Sequence, residues 1–359
     1  MSGALIELVA KGLQDAYITS EEGASFFKVK YSRHTNFAQA PKKIADVVGV
    51  SNTTTSVKVP SLGDLINHVW LESDNITDYL SGTTFDLFIG GQKIDSQTYD
   101  FMAEIWQVYM AETSTKSQTI NNTISQSNKN FFPLHFFFCD CGMFLPLLAI
   151  QYHEVEIQIH WGSTPPTNVK VYGNYVYLDT AERGTMVNKS LELMITQVQR
   201  MEFDNSVGHV DLDIGVFLNH PIKSLYFGYE AENPLINRDY LTFTGADLQL
   251  NGTYVFEDMS PTYFHTVQSY YNCPFGLTNL DNIYTCPVYT RYYTYNFCLD
   301  ASSYKPTGTC NFSRIDNAKL TIHGLSKASE RLSSTLKVYA VGYNILKIER
   351  GLAGILFGN

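Results

Sequence analysis

A histidine beside an acid is the first pattern in this 359-residue chain with the side chains for chemistry. Zinc proteases bind the metal through two His residues four apart on a helix, with a Glu beside the first as base. His153-Glu154 fails that pattern, because position 157 is Ile and the surrounding alternation is that of a strand. His153 and His160 are seven apart, which on a strand puts them on opposite faces. His135, Cys139 and Cys141 are ligand types that could share one strand face. Against a metal there, Cys-x-Cys is not the usual zinc spacing, and a buried free Cys behaves as a small hydrophobe. The chain contains no G-x-S-x-G elbow, no G-x-x-x-x-G-K-[ST] loop and no G-x-G-x-x-G fingerprint. Carboxylates are plentiful, so an acid–base pair assembled in space stays open, beside the plainer reading of solvated carboxylates on strand faces. Tyr289 to Tyr295 could stack on sugars, or could fill a turn or an interface. No catalytic residue, metal ligand or cofactor site is therefore expected, and the chain is not expected to be an enzyme.

What positions these residues is β-structure. The chain holds 24 Tyr, 22 Phe and 3 Trp, with 44% hydrophobic and 17% charged residues, a composition that favours strands over disorder or long charged helices. The formal charge is −10, and residues 47–310 carry 12 Lys/Arg against 27 Asp/Glu. An acidic body of this kind argues against direct binding of nucleic acid, which needs clustered cations. Neither a targeting segment nor a transmembrane segment is expected. The apolar run around Leu5 to Val9 is short and interrupted by Glu7, and the stretch Phe131 to Ile150 contains Asp140, Gly142 and two prolines. Six cysteines are too few for a disulfide scaffold and are expected to be mainly reduced.

Along the chain, Leu5, Leu8, Val9 and Leu13 share one helical face in an N-terminal arm, residues 1–23. Such a helix is too short to be stable alone, so the burial that orders it must come from elsewhere, and these four residues are the candidate assembly contact. Period-two alternation follows: Phe85, Leu87 and Ile89 before the turn pair Gly90-Gly91; Val155, Ile157, Ile159 and Trp161; Val210 to Leu218; Leu320 and Ile322. Tyr99, Met102, Ile105, Trp106, Tyr109 and Met110 have helical spacing, with Asp95 or Ser96 as cap. Many strands separated by turns indicate a sandwich or barrel. Three anchors recur at nearly constant offset: Leu87 to Gly91 with Leu248 to Gly252, Phe137-Phe138-Cys139 with Asn296-Phe297-Cys298, and Ile157-Gln158-Ile159 with Leu320-Thr321-Ile322. They point to tandem duplication of one β-domain, with domains at 24–196 and 202–359 and a linker at 197–201.

Longer motifs carry a resemblance. Gly3 to Thr19, Phe26 to Val29 and Tyr31 to Ala38 closely resemble the start of the major capsid proteins of nucleocytoplasmic large DNA viruses, in the algal and giant-virus branch. Ile89 to Asp95, Leu145 to Val155, Asn219-His220-Pro221, Leu248 to Gly252, Pro306 to Ala318, Tyr339 to Asn344 and Gly354 to Phe357 agree in the same order. The resemblance spans essentially the whole chain. It implies an all-β fold of two tandem eight-stranded jelly rolls with short helices in loops. It also implies a homotrimer forming a pseudo-hexagonal capsomer that tiles an icosahedral shell, in contact with neighbouring capsomers and with minor capsid proteins beneath. The location implied is the virion capsid, assembled in the host cytoplasm. This chain departs from the family in its compact loops, which argue against an elaborate outer crown, and in the pair Cys139 and Cys141. Two other readings are a minor or penton capsid paralogue and, from a different class, a glycan-binding lectin-like module.

Overall fold

The computed structural model describes residues 12–15, 27, 33–113, 115–116, 130–139, 142–204, 210–231, 241–273, 292–327 and 332–358. Met1–Asn36 and Phe37–Asn359 are separate compact units, and every sheet belongs to the second. Its first eight strands are β1 (Phe37–Val47), β2 (Thr54–Val59), β3 (Leu65–Glu72), β4 (Thr84–Ile89), β5 (Gln92–Thr98), β6 (Phe131–Pro133), β7 (Val155–His160) and β8 (Val169–Leu178). They pair into two antiparallel sheets, ordered β1-β8-β3-β6 and β2-β7-β4-β5. Besides four short strands, Leu241–Thr242, Cys310–Asn311, Ser326–Lys327 and Leu352–Ile355, eight further strands follow: β9 (Leu191–Asp204), β10 (Leu212–Gly215), β11 (Pro221–Ala231), β12 (Gly245–Leu250), β13 (Thr253–Met259), β14 (Tyr292–Asn296), β15 (Ala318–His323) and β16 (Leu332–Glu349). These form sheets ordered β9-β16-β11-β14 and β10-β15-β12-β13, which is the first arrangement repeated with every strand advanced by eight. The fold is a double jelly roll, in which each sheet buries one face against its partner sheet.

Local sequence explains the strand ends. Phe85, Leu87 and Ile89 are fully buried, and the chain reverses at Gly90 (φ 59°) and Gly91 (φ 78°). The second roll reverses at Asn251 (φ 48°) and Gly252 (φ 83°). Two successive positive φ angles match the right-handed twist of a hairpin, and Gly and Asn reach them at low cost. In both hairpins the register slips at the same place, between Leu87↔Asp95 and Phe88↔Lys93 and between Leu248↔Phe256 and Gln249↔Tyr254. Two of the three anchors thus fall on equivalent strands: Ile157 pairs with Val57 and Leu87 as Leu320 pairs with Ile214 and Leu248. The third is looser. Phe138 follows the end of β6 by five residues and its counterpart Phe297 follows β14 by one. Phe137–Cys139 is a turn of 3-10 helix, not a strand, and Cys141 lies outside the described residues.

The expected linker, 197–201, is the middle of β9, which pairs along its whole length with β16. The passage between the two sets of sheets is instead a helix, Thr180–Asn188, whose first N–H is accepted by the Asp179 carboxylate. The repeat anchors bracket this join from both sides and so could not resolve it.

The segment Phe101–Met110 is helical, but of the wide π type, and all ten residues are buried. Its cap differs from expectation: Asp95 and Ser96 belong to β5, and the hydroxyl of Thr98 accepts the Phe101 N–H at 3.2 Å. A helix carrying Glu104 and Gln107 yet buried on every side needs partners on two sides. One is the first core. The other is the outer face of β9-β16-β11-β14, whose Tyr226, Tyr292 and Tyr339 cluster with the first roll, while Leu225, Phe227 and Val338 on the opposite face belong to the second core.

Candidate assembly surfaces

The seam between the rolls is an interface within one chain. Tyr109 packs on Tyr226, with ring centroids 5.7 Å apart, and donates its hydroxyl to the Tyr292 carbonyl at 2.6 Å. Phe101 meets Tyr339 at 5.8 Å, and Lys337 reaches Asp100 across the seam at 3.2 Å with both side chains nearly dry. Large rings supply the contact area, and the buried ion pair joins the two rolls beside them.

A second strip of the seam is polar. Asp95, in β5, accepts hydrogen bonds from the backbone of Val198 in β9 and of Ser96, both at 2.9 Å, and from Gln97 Nε2 at 2.7 Å. Burial outweighs these donors and pushes its carboxyl up to about 6. Gln197 donates to the Ile94 carbonyl and accepts from Asn344 at 2.9 Å. A groove of about 320 Å³ runs along this strip, bordered by Gln92, Asp95, Gln197, His220, Asn344 and Phe357. Side chains bridging β5 and β9 account for its polarity.

Of the four arm residues, Leu5, Leu8 and Val9 lie outside the described residues, and Leu13 is 94% exposed. Beside it, Gly12 N donates to the Asp15 carboxylate at 2.7 Å. The sugar-stacking reading loses its described rings: Tyr292 and Tyr293 are buried in β14, and Tyr295 is half-buried, packed on Phe256 and Phe297. His135 stacks on Trp106 at 3.5 Å, and burial, helped by the Lys116 charge, holds its imidazole down at about 3. It is therefore neutral at physiological pH. Cys139, Cys273, Cys298 and Cys310 form no disulfide among the described residues, and burial pushes Cys273 up to about 12. Among the described residues no group of three or more His, Cys, Asp or Glu is arranged to hold a metal, and no helix is long and apolar enough to cross a membrane.

One repeated pair went unrecognised in the sequence. His160 lies 3.2 Å from Asp86 across β7 and β4, and His323 lies 2.9 Å from Asp247 across β15 and β12, the same two positions of each roll. The hydrogen bond to Asp247 raises the His323 imidazole above its usual value. Burial opposes ionisation of Asp247, but the hydrogen bonds from His323 and the Asp258 backbone hold its carboxyl below the usual range. Both pairs tie neighbouring strands together, with the histidines partly exposed and Asp86 buried.

Comparison with known proteins gives the chain its relatives. Residues 25–179 match the family model described as the major capsid protein N-terminus, and residues 182–354 match that of the large eukaryotic DNA virus major capsid protein. The chain is 32% identical to the major capsid protein of Pyramimonas orientalis virus and 28% identical to that of Paramecium bursaria Chlorella virus 1, each alignment covering the whole of both chains. Among solved structures, a chain of the PBCV-1 virus capsid superposes with a TM-score of 0.77 at 24% identity, over 93% of this chain and 100% of that one.

Proposed function

Because the chain belongs to the major capsid proteins of large eukaryotic DNA viruses and is a structural component of the virion capsid, we propose that three copies form a pseudo-hexagonal capsomer and that many capsomers tile an icosahedral shell. The observation that carries this reading is the repeat of one strand order in two rolls of a single chain. Three chains then present six similar rolls, which gives a near-hexagonal block from a threefold assembly. The decisive measurement is the native mass of the purified protein by analytical ultracentrifugation at micromolar concentration. Three times the chain mass is expected, and a monomer overturns the reading.

We place the division between the rolls at the helix Thr180–Asn188, since β8 closes the first set of sheets and β9 opens the second. The arm, with Leu5, Leu8, Val9 and Leu13, contacts a neighbouring capsomer or a minor capsid protein beneath the shell. In support, Leu13 is almost wholly exposed. Deleting residues 2–20 is expected to leave the trimer mass unchanged while impairing assembly; loss of the trimer counts against this placement. Assembly takes place in the host cytoplasm, a reducing compartment where free thiols such as Cys273 and Cys298 persist.

A further inference from the structure

The repeat equates the surfaces of the two rolls residue by residue, and it exposes one contact that the chain makes once where it has the parts for two. On the acceptor side, Tyr226 pairs with Tyr339 and Thr294 as Trp70 pairs with Tyr172 and Pro133, and Gly228 faces Tyr292 as Glu72 faces Phe131. The flanking Leu225 and Phe227 belong to the second core as Val69 and Leu71 belong to the first. Trp70, Tyr172 and Phe131 are thus the first roll's counterparts of the face on which Tyr109 sits. That face is still open. Trp70 and Tyr172 stack at 5.6 Å but are only half buried. Beside them is a cavity of about 180 Å³ lined by Trp70, Trp106, Phe131, Pro133 and His135, and His135 Nε2 is buried without a hydrogen-bond partner.

The donor side is equally unused in the second roll. The β12–β13 hairpin keeps the register of β4–β5 through Leu248↔Phe256, then gains one residue at Asp258, where φ is 47°. Tyr109 accordingly falls on Tyr270 or Tyr271, in the helical segment Gln268–Asn272. Tyr109 is 2% exposed, whereas Tyr270 and Tyr271 are 80% and 74% exposed and meet each other edge to face at 5.0 Å.

We propose that the Tyr270–Tyr271 tip of one chain docks on the Trp70–Tyr172 face of a second copy, repeating between chains the contact that Tyr109 makes within one. This rests on the trimer reading and names the surfaces that would build it. Aromatic side chains seated in a partly dry recess are the usual energetic centre of an interface. The ion pair does not repeat: Lys337 corresponds to the exposed Lys170, but Asp100 corresponds to Pro261 or Thr262, so the aromatic contact carries the docking. Donor and acceptor are different surfaces, and each chain owns one of each. Association is therefore head to tail and stops when a ring closes.

The test compares the masses of the wild type, the donor variant Tyr270→Asp/Tyr271→Asp and the acceptor variant Tyr172→Asp by analytical ultracentrifugation. All three substitutions are at exposed or half-exposed positions, and circular dichroism verifies the fold. The wild type is expected to be trimeric and each variant monomeric. Mixing the two variants at high concentration should restore a species of two chains and no larger, since one intact donor then meets one intact acceptor. Trp emission should shift to longer wavelength in the monomers as Trp70 is uncovered. A wild-type trimer with a donor variant that stays trimeric overturns the docking surface and leaves the trimer reading standing. A mixture that forms no two-chain species overturns the head-to-tail pairing. A monomeric wild type overturns both readings.

Discussion

Asp95→Asn is the sharpest probe of the seam, because a carboxylate is held there in a nearly dry strip by donors from both rolls. Asp95 is 4% exposed, and burial raises its carboxyl from 3.8 to about 6. That displacement corresponds to about 3 kcal/mol at about 1.36 kcal/mol per pH decade. The sign follows from proton uptake. Between about pH 4 and 6 the folded chain holds a proton that the unfolded chain has released, so this group's contribution to stability falls as pH rises through that window and is flat above it. Between about pH 4.5 and 7.5 roughly 2 kcal/mol of this fall is traversed. Asparagine cannot ionise, and its carbonyl oxygen keeps the Val198 and Ser96 bonds. Its amide meets Gln97, whose own Oε1 is buried without a partner; a rotation of that side chain re-pairs the two at the expense of the 2.9 Å bond to the His135 carbonyl, about 1 kcal/mol. His135 slopes the other way in the same pH range, since a buried neutral His loses stability on acidification, but this cancels when variant and wild type are compared at each pH. Urea unfolding should therefore show the variant gaining about 2 kcal/mol on wild type between about pH 4.5 and 7.5. A difference that does not change with pH, or a variant that loses ground as pH rises, would refute the claim that the charged form is penalised.

Three further outcomes follow from the same surfaces. Tyr109→Phe removes a buried hydroxyl bonded to the Tyr292 carbonyl and should cost about 1 kcal/mol in urea unfolding, with the ring contact to Tyr226 retained. Lys337→Met removes a cation that reaches Asp100 in a dry seam and should cost about 3–5 kcal/mol, part of it recovered when Asp100→Leu is added. His323, raised above 6.5 by its bond to Asp247, stabilises below that value and loses its contribution as pH climbs through the raised one; its NMR titration midpoint should drop in Asp247→Asn.

The strand content and the duplication were legible because a jelly roll writes its buried face into every second residue. Val155, Ile157 and Ile159 were read as one buried face and are 4% exposed or less, and the Leu87 and Leu248 segments carry the same turn, slip and partners. What failed were the places where periodicity gives no information. Phe137-Phe138-Cys139 is apolar at every position, so alternation could not separate a strand from the 3-10 turn it forms. Asp95 has the look of a helix cap because it is a short acid ahead of a helical pattern, but the Val198 N–H, from a strand about a hundred positions away, and the Gln97 amide claim its oxygens. The His–Asp pairs were invisible for the same reason: each joins neighbouring strands far apart in sequence, and only the ladder register brings them together.

The two helical segments after the hairpins differ in what covers them. Met102, Ile105, Trp106, Tyr109 and Met110 have the spacing of one helical face, yet the intervening Phe101, Ala103 and Val108 are also apolar, and all are buried. An amphipathic helix on a single core leaves the other side polar; apolar residues all round require a second surface, and here it is the neighbouring roll. The corresponding stretch, Tyr263 to Asn272, keeps its core residue in Phe264 but turns Tyr270 and Tyr271 outward. On the docking proposed above, a position buried in one copy and exposed but still aromatic in the other is where a contact between chains replaces the internal seam. The same comparison pairs the buried Tyr226–Tyr339 contact with the half-buried Trp70–Tyr172 stack, so donor and acceptor are each found once buried and once at least partly open, the pattern expected of a chain whose second contact is made by another copy.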